Sequence, residues 1–571
     1  MNVNFLDNLN DSNSVKEGET IILTSSKYEI EGTYQIKSPC KISSNCDTVI
    51  ICEIFEISSE LVSLNGITFE TSIHASESDN FQMTNCVVRK SDKLDGALCI
   101  SNSKSVFLSH INISGIESIP GIYITSNSTV NADNISVSQL EETLIVCNTN
   151  SNLYLKESNI HHSKANGIYT SNDSYIEVRN CTISDTEYPS IFVSNSNCVL
   201  ENNVIQNIAQ NGISINTVKS FVVCKNKISD VSGSAISIMD DSVGVAHRNI
   251  IKKIGGNGIY VSGNSEVKAY KNEICDNQYP GIAILMKSKA KLIKNKISNI
   301  GYSGICARGA KSVKILKSDI SNINECGISV SDTKKCVIKY NDIKDCKIAA
   351  VESYNKSKVY IIENNIINMK EYGFLVYTSG YMKAKNNTIS DVGKAMVKLL
   401  YKGGGDFISN KIQNCPNQKD SQTANMYFLS DNGNFPGVTN DPSRQTESIQ
   451  LDEDYVDCNK LCIKCNKNPR NCFLLDCGHK VYCKECAEKA FNNGETCPLC
   501  RFPITKVTGG FATASDDMCV ICFNEPADSI VAPCGHMGIC HHCLEQWFNK
   551  NKNCPICRTE PATFKVVMTD L

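Results

Sequence analysis

A 23-residue repeat dominates the middle of the chain and limits the folds that it can adopt. Isoleucine recurs at this interval from Ile205 to Ile412, and glycine or alanine does so from Gly212 to Gly373. Most apolar residues of the units are isoleucine or valine, and they alternate with polar residues over short runs. Alternation with period two indicates strands that are buried on one side. Three such runs in each unit predict coils of three parallel strands, with equivalent residues stacked one coil apart.

The composition of the repeat favours one of the two common architectures with a period in the twenties. A leucine-rich repeat needs leucine-dominated units with one strand and a helical return, whereas these units are built on isoleucine and valine. They resemble the right-handed parallel β-helix of the pectate-lyase-like superfamily over residues 15–415, and Gly18 to Gly32 resembles its usual first coil. The resemblance implies an all-β fold for this part, with asparagine ladders at the coil corners.

Residues 416–455 lose the period and become polar and acidic, which predicts an end cap followed by a flexible linker.

The rest of the composition limits the compartment and the partners. The net charge of −3 over 571 residues gives no overall field that would attract nucleic acid or a membrane surface. No apolar run approaches the roughly 20 residues that span a bilayer. The first residues show no basic flank followed by an apolar run, so we expect no secretory signal. We therefore expect a cytoplasmic protein, and a nuclear location is compatible with the same features.

Cysteine is concentrated at the C-terminal end, where 16 of the 31 cysteines fall within the last 121 residues. Fourteen of these sixteen form two modules with identical intervals, C-x2-C-x11-C-x-H-x3-C-x2-C-x10-C-x2-C. A C-x2-C pair lets two thiolates bind one tetrahedral zinc, and four closed sites leave no open position for catalysis. The spacing therefore predicts four structural zinc ions, two in each module, with these ligands: Cys462, Cys465, Cys477, His479, Cys483, Cys486, Cys497, Cys500, Cys519, Cys522, Cys534, His536, Cys540, Cys543, Cys554 and Cys557.

The pattern of seven cysteines and one histidine resembles the RING fingers of ubiquitin ligases. We assign the first module to residues 456–505 and the second to residues 513–565, each as a small zinc-bound α+β domain. The resemblance implies that ligand pairs alternate between the two ions of a module. In the second module one ion would be held by Cys519, Cys522, Cys540 and Cys543, and the other by Cys534, His536, Cys554 and Cys557. The first module would pair Cys462, Cys465, Cys483 and Cys486, and then Cys477, His479, Cys497 and Cys500.

The resemblance also implies a docking surface for a ubiquitin-conjugating enzyme on the second module. Four residues match that surface in the family: Ile521, Trp547, Pro555 and Arg558. Arg558 would position ubiquitin, and no residue would form a covalent intermediate. The first module has Lys464 and Ala490 at the positions of Ile521 and Trp547, although it keeps Pro498 and Arg501. The first module is therefore expected to fold, but to recruit more weakly and to play a supporting role.

These features predict a RING-type ubiquitin-protein ligase whose β-helix binds a protein substrate. One alternative is a non-catalytic scaffold whose zinc modules only bind partners. Another is a carbohydrate-active β-helix enzyme, but the Asn-Thr-Asp, Gly-His-Gly and Arg-Ile-Lys motifs of polygalacturonases are absent from the sequence. Fold alone does not specify such an activity.

A basic stripe is the one feature of the repeat that suggests a binding surface. Five basic residues occupy the same coil position in successive units: Lys225, Arg248, Lys271, Lys294 and Lys317. Lys268, Lys291 and Lys314 stack three positions earlier. Like charges on neighbouring strands destabilise a sheet, so the stripe needs an explanation. The favoured explanation is that long lysines extend into water at little cost. The functional alternative is that the stripe binds an acidic substrate segment or an anionic polymer.

Overall fold

The computed structural model of the chain describes residues 3–6, 15–90, 95–417, 419–421 and 426–429. In the C-terminal part it describes residues 462, 464, 472–474, 479–497, 504, 507–509, 511–512, 519, 521, 529–532, 534, 536–549, 551–560 and 563–566. The chain divides into two compact units, Met1–Val438 and Thr439–Leu571.

The first unit is a parallel β-helix in which each coil contributes one strand to each of three faces, here called A, B and C in chain order. The face A strands are Val3–Leu6, Glu19–Leu23, Gln82–Thr84, Val106–Ser109, Thr129–Asp133, Asn152–Lys156, Tyr175–Arg179, Asn197–Glu201, Phe221–Cys224, Val243–His247, Glu266–Tyr270, Lys289–Ile293, Ser312–Leu316, Cys336–Lys339, Lys358–Ile362, Tyr381–Lys385, Gly404–Ile408 and Met426–Leu429. Two longer strands, Cys40–Ile51 and Ser63–Phe69, contribute to faces A and B together.

The other two faces follow the same order along the chain. The face B strands are Lys27–Glu29, Val87–Val88, Asn112–Ile116, Ser136–Leu140, Asn159–Ser163, Thr182–Thr186, Val204–Ile208, Lys227–Val231, Ile250–Ile254, Glu273–Asn277, Lys296–Ile300, Asp319–Ile323, Asp342–Cys346, Asn365–Met369, Thr388–Val392 and Lys411–Gln413. The face C strands are Thr33–Ile36, Ile54–Ile57, Ser72–Ser76, Leu98–Ser101, Ile122–Thr125, Ile145–Cys147, Ile168–Thr170, Ile191–Ser194, Ile213–Asn216, Ile236–Met239, Ile259–Val261, Ile282–Leu285, Ile305–Arg308, Ile328–Ser331, Ala349–Tyr354, Tyr372–Val376, Ala395–Leu399 and Lys419–Ser421.

The sequence period is one coil of this helix, which confirms the predicted fold class. Ile228, Ile251 and Ile274 pair in register across successive face B strands, and each is at most 1% exposed. At the corner between faces B and C the residues must be small. A Cβ atom on Gly281 would lie 2.7 Å from Cγ2 of Ile297 and 2.9 Å from the carbonyl oxygen of Gly304. The stacked isoleucines and the neighbouring backbone therefore leave no room for a side chain there.

A buried asparagine ladder closes the corner between faces A and B. The Asn226 amide donates to the carbonyl oxygen of Leu200 at 2.9 Å and to Oδ1 of Asn249 at 3.0 Å. Oδ1 of Asn226 accepts from the backbone N–H of Asn203 at 3.0 Å and from the Asn203 amide at 3.0 Å. Backbone groups that a sharp corner would leave unpaired are thereby satisfied inside the helix. The predicted asparagine ladder is thus present.

Strands lie on both sides of the predicted bounds 15–415. Val3–Leu6 pairs with Glu19–Leu23 at one end, and Lys419–Ser421 and Met426–Leu429 pair with the preceding coil at the other. Within the predicted cap and linker, residues 418, 422–425 and 430–455 lie outside the described residues. The assignment of 416–455 to a cap and a flexible linker stays a prediction.

The second unit contains two copies of one small α+β fold. In the first copy Cys472–Leu474 pairs antiparallel with His479–Tyr482 and with Val507–Gly509, and the helix Lys484–Asn492 follows the hairpin. In the second copy Ser529–Ala532 pairs with His536–Ile539 and Thr563–Val566, and the helix is His541–Phe548. A short strand Phe511–Ala512 pairs in parallel with His536–Ile539. The third strands end at 509 and 566, beyond the predicted module bounds of 505 and 565.

Candidate functional site

The core of the second module consists largely of cysteines. Its buried cluster contains Cys519, Val531, Ile539, Cys540, Cys543, Leu544 and Cys554. The helix His541–Phe548 has only eight residues, and Cys540 precedes it in an extended conformation without a side-chain cap. So short a helix is marginal by itself, and so few apolar residues form an insufficient core. Ligation of the cysteines would supply the missing stabilisation.

The structure brings together one complete set of four ligand atoms. Those of Cys534, His536, Cys554 and Cys557 all lie within 4.8 Å of one another, and Sγ of Cys554 is 3.8 Å from Nδ1 of His536. Ligands that surround a tetrahedral zinc at 2.0–2.3 Å are separated by roughly 3.3–3.8 Å. Three thiols and one imidazole at this spacing fit zinc, because borderline-soft zinc prefers sulfur and nitrogen donors.

The thiols of this set differ in how readily they lose a proton. Burial raises the pKa of the Cys534 thiol to about 12. Hydrogen bonds with Thr559 lower the pKa of the Cys557 thiol to about 6, with Sγ 3.0 Å from the Thr559 hydroxyl. Only thiolates bind zinc, so occupation of the site must displace a proton from Cys534, whereas Cys557 is already largely ionised at neutral pH.

Two further groups contain three ligand atoms each within the same 4.8 Å limit. They are Cys519, Cys540 and Cys543 in the second module, and Cys462, Cys483 and Cys486 in the first. Both groups combine the first C-x2-C pair with the third pair, as the resemblance to RING fingers implies. Their predicted fourth ligands are Cys522 and Cys465. These two, together with Cys477, Cys500 and the side chain of His479, lie outside the described residues, and Cys497 is buried.

The predicted docking residues of the second module range from half-buried to exposed. Ile521 is 46% exposed and its backbone N–H donates to Sγ of Cys519 at 3.4 Å. Trp547 is half-buried, and its indole N–H donates to the carbonyl oxygen of Asn553 at 2.9 Å. Pro555 is half-buried next to Ile556, which is 37% exposed and was not predicted. Ile556 stands in the last C-x2-C pair of the module at the position that Ile521 holds in the first pair. This shared position is the sequence signal that could have identified Ile556.

Arg558 is oriented by its own backbone and by Trp547. Its φ angle of 62° is left-handed, and its N–H donates to the carbonyl oxygen of Cys554 at 2.9 Å. The guanidinium carbon lies 4.8 Å from the centre of the Trp547 ring, a cation–π arrangement. The indole ring therefore supports the Arg558 cation.

The same surface of the first module is charged. Nζ of Lys464 contacts both carboxylate oxygens of Glu495, at 2.6 and 2.7 Å, and lies 6.0 Å from the Tyr482 ring centre. The hydrogen bond from Lys464 lowers the pKa of Glu495. Ala490, at the position of Trp547, is fully buried. Pro498 and Arg501 lie outside the described residues. The first module therefore presents an ion pair where the second presents an isoleucine.

The basic stripe of the β-helix lies along the corner between faces A and B. All five residues have left-handed backbones, with φ angles between 51° and 57°. Their column continues as Tyr340 and Glu363 in the next coils, with the same backbone conformation. At the other end Nζ of Lys225 lies 3.0 Å from a carboxylate oxygen of Glu201.

Among the helices of the described part of the chain, none is both long and apolar enough to cross a membrane.

Family models match both parts of the chain. The model described as right handed beta helix region matches residues 120–274 and 234–389. The model described as zinc finger, C3HC4 type (RING finger), matches residues 458–507 and 515–564. The chain therefore contains a right-handed β-helix and two tandem RING fingers. RING fingers bind zinc, in agreement with the three ligand groups described above.

Curated proteins match the RING region. Mitochondrial E3 ubiquitin protein ligase 1 of Drosophila melanogaster is 40% identical over 52 residues, which are 9% of this chain and 14% of that protein. E3 ubiquitin-protein ligase RNFT1 of Xenopus laevis is 42% identical over 55 residues, which are 10% of this chain and 13% of that protein. E3 ubiquitin-protein ligase APD1 of Arabidopsis thaliana is 44% identical over 48 residues, which are 8% of this chain and 11% of that protein. The chain thus spans only a small part of the length of these relatives.

Among solved structures, the periplasmic alginate epimerase AlgG matches 69% of this chain and 78% of its own, at 11% identity and a TM-score of 0.27. A likeness at this level supports no statement about the activity of the chain.

Proposed function

We propose that this protein, a right-handed β-helix joined to two C3HC4 RING fingers, is a RING-type ubiquitin-protein ligase. The strongest support is the second RING finger, where Ile521 and Ile556 are exposed next to predicted zinc ligands in the chain and the Trp547 ring supports Arg558. The three relatives named above are ubiquitin ligases, and each matches this chain only over its RING region.

The chain would act by positioning rather than by covalent catalysis. Ile521 and Ile556 would bury their exposed apolar surface against a ubiquitin-conjugating enzyme, and tryptophan is the residue type most enriched in such interface centres. Bound zinc would hold the two loops of this surface in fixed positions. Arg558, supported on the Trp547 ring, would donate hydrogen bonds to the conjugating enzyme and to the ubiquitin that it carries. Restraint of that ubiquitin brings its thioester carbonyl towards the attacking amine.

The reaction itself would take place between the conjugating enzyme and the substrate. The amine of a substrate lysine attacks the thioester carbonyl carbon of ubiquitin, the thiolate of the conjugating enzyme leaves, and an isopeptide bond forms. The amine must be uncharged so that its nitrogen lone pair can attack, and the proton that the nitrogen then loses passes to water or to the leaving thiolate. No side chain of the RING fingers is consumed or bonded to ubiquitin.

The first RING finger would support this reaction without being the main recruiter. Its Lys464–Glu495 ion pair would have to be desolvated by any partner that docks there, which is unfavourable, whereas the burial of an isoleucine is favourable. Deletion of 456–505 should lower ubiquitin transfer and leave binding of the conjugating enzyme intact. Full transfer by residues 506–571 alone would contradict a supporting role for the first finger.

Autoubiquitination in vitro, with a panel of conjugating enzymes, tests the proposal. We expect Ile521→Ala and Trp547→Ala each to lower the rate by about tenfold or more, because each removes an interface centre. Glu545→Ala is the matched control, since Glu545 is exposed on the same helix but two residues from Trp547 and hence on another side. Absence of ubiquitin chains with every conjugating enzyme would favour a non-catalytic scaffold.

The β-helix would bind the protein substrate. It is the larger part of the chain, and its strands form long, regular faces that a partner can follow. Affinity capture with the full chain, compared with a variant lacking the RING fingers, would identify proteins that bind the β-helix. A substrate must then also be modified in the presence of ubiquitin, the activating enzyme and a conjugating enzyme.

A further inference from the structure

One side of the β-helix concentrates positive charge far beyond the average of the chain. Residues 286–295 and 309–318 contain seven lysines and no acidic residue, although the net charge of the whole chain is −3. These two segments are successive face A strands with their flanking corners. We use the name lysine face for six residues in two columns: Lys268, Lys291, Lys314, Lys271, Lys294 and Lys317.

The strand pairing places these lysines on neighbouring strands in exact register. Lys268 pairs with Lys291, and Lys291 pairs with Lys314, along face A. Alternation along each strand directs these side chains outward, since Ala269, Leu292 and Ile315 are buried. Parallel strands lie about 4.8 Å apart, so the positive charges of one column repeat at this interval.

The lysines also affect one another electrostatically. Burial lowers the pKa of Lys314, and the neighbouring ammonium groups of Lys291 and Lys335 lower it further. Like charges on adjacent strands destabilise a sheet. Exposed lysines add to the same side from the corner between faces C and A, at Lys287, Lys311, Lys334 and Lys335.

The structure also changes the extent of the stripe that the sequence predicts. Lys225 forms an ion pair with Glu201 at 3.0 Å, so that end of the stripe is internally compensated. At the other end Lys339 lies 4.4 Å from the Tyr340 ring centre and 3.5 Å from a Glu363 carboxylate oxygen. Between these ends Lys289 also lies 2.8 Å from a Glu266 carboxylate oxygen, and the concentration of positive charge is centred on Lys291 and Lys314.

We propose that the lysine face binds an acidic polypeptide segment of the substrate, which names the substrate class and rests on the proposed ligase function. An acidic helix that lies along the β-helix axis fits best. The turns of an α-helix repeat at about 5.4 Å and the coils of the β-helix at about 4.8 Å. The length of two turns therefore differs from the length of two coils by only about 1.2 Å. Lysine side chains, with four flexible carbons, can take up this difference.

Nucleic acid fits the lysine face less well. Proteins that bind single strands combine basic grooves with aromatic rings on which bases stack. The aromatic residue within this region, Tyr270, already stacks on His247 with ring centres 4.6 Å apart, and Lys268 lies 5.4 Å from its centre. Double-stranded DNA is read by an element that enters a groove, whereas face A presents a flat row of strands.

The test compares wild type with three full-length variants, two of which carry the same number of charge reversals. The lysine-face variant is Lys291→Glu, Lys314→Glu and Lys317→Glu, and all three residues are exposed. The matched control is Lys344→Glu, Lys347→Glu and Lys370→Glu, on face B and its corner with face C. A third variant, with Gln at positions 291, 314 and 317, removes charge without reversing it. Thermal unfolding verifies that each variant is folded.

The probe is a fluorescent, alanine-rich peptide of about 20 residues with a glutamate at every turn, measured by anisotropy at about 50 mM salt. We expect the lysine-face Glu variant to bind about tenfold or more weakly than wild type, the Gln variant to fall between them, and the control to change less than twofold. Binding that is equal in all the proteins would overturn the proposal. Tighter binding of an oligothymidylate with the same number of charges would overturn the choice of a polypeptide.

Ubiquitin transfer separates this inference from the proposed function. The same peptide, fused to a lysine-containing reporter, should be modified by wild type and control and poorly by the lysine-face variant, while autoubiquitination is equal in all three. If wild type transfers no ubiquitin at all, the ligase proposal fails and the anisotropy measurement still decides whether the lysine face binds acidic segments. If transfer to the reporter is the same in all three proteins, the lysine face is not a substrate site.

Discussion

Exchange of one residue between the two RING fingers tests why only the second is expected to recruit a conjugating enzyme. Ile521→Lys places in the second finger the residue that the first has as Lys464. The position of the ion-pair partner also differs between the fingers, because Lys552 stands in the second finger where the first has Glu495. Ile521→Lys with Lys552→Glu therefore recreates the complete ion pair of the first finger, in which nitrogen and oxygen are 2.6 Å apart.

The expected loss follows from the exposure of Ile521. Complete burial of an isoleucine side chain is worth about 1.5–3 kcal/mol, and 46% of Ile521 is still exposed for a partner to cover. The lost apolar contact alone thus costs about 1 kcal/mol, or about fivefold in affinity. Desolvation of the introduced ammonium adds to this, so we expect a total loss of about tenfold or more. The recreated ion pair is exposed and contributes at most about 1 kcal/mol to folding.

Calorimetric titration with a conjugating enzyme, together with discharge of its ubiquitin onto free lysine, measures the effect. Both the single and the double variant should fold, bind weakly and discharge slowly. The reverse exchange in the first finger, Lys464→Ile with Glu495→Lys, is the control and should not weaken binding. Affinity and discharge of the double variant within twofold of wild type would refute the view that this position selects the recruiting finger.

Two further predictions concern stability. Asn272 is 1% exposed, donates to the carbonyl oxygen of Ala246 at 2.9 Å and accepts from the backbone N–H of Asn249 at 3.1 Å. Asn272→Ala leaves these buried groups unpaired and should lower the free energy of unfolding of the β-helix by about 3–5 kcal/mol in chemical denaturation. The control Asn324→Ala, at an exposed asparagine, should change this free energy little. Equal effects of the two substitutions would contradict a structural role for the ladder. Removal of zinc with a chelator should unfold both RING fingers and abolish ubiquitin transfer, but leave the β-sheet circular dichroism of the β-helix, because the β-helix core contains no predicted zinc ligand. Loss of both signals together would show that the two units are not independently stable.

Repetition in the sequence made much of the fold predictable. In a parallel β-helix each strand residue pairs in register with its equivalent one coil away, so a period of 23 specifies which residues share a column. Ile228 and Ile251, or Lys291 and Lys314, are placed together by this rule alone. The cysteine intervals act in a similar way, since a C-x2-C pair can reach one ion, and the groups around Cys519 and Cys534 contain the residues that the alternation implies. The register of the earliest coils is less regular, and strands such as Val3–Leu6 were not predicted.

Side-chain partners across different strands and loops were not predictable in this way. The sequence by itself determined the columns of the β-helix and the candidate ligand sets, because backbone pairing and metal geometry depend on intervals along the chain. Tertiary structure decided that Lys225 is paired with Glu201, that Lys464 is paired with Glu495, and that Arg558 lies over Trp547. Each of these contacts depends on rotamers and on the approach of segments that no interval specifies. The surfaces on which the proposed recruitment and substrate binding depend are therefore properties of the folded chain.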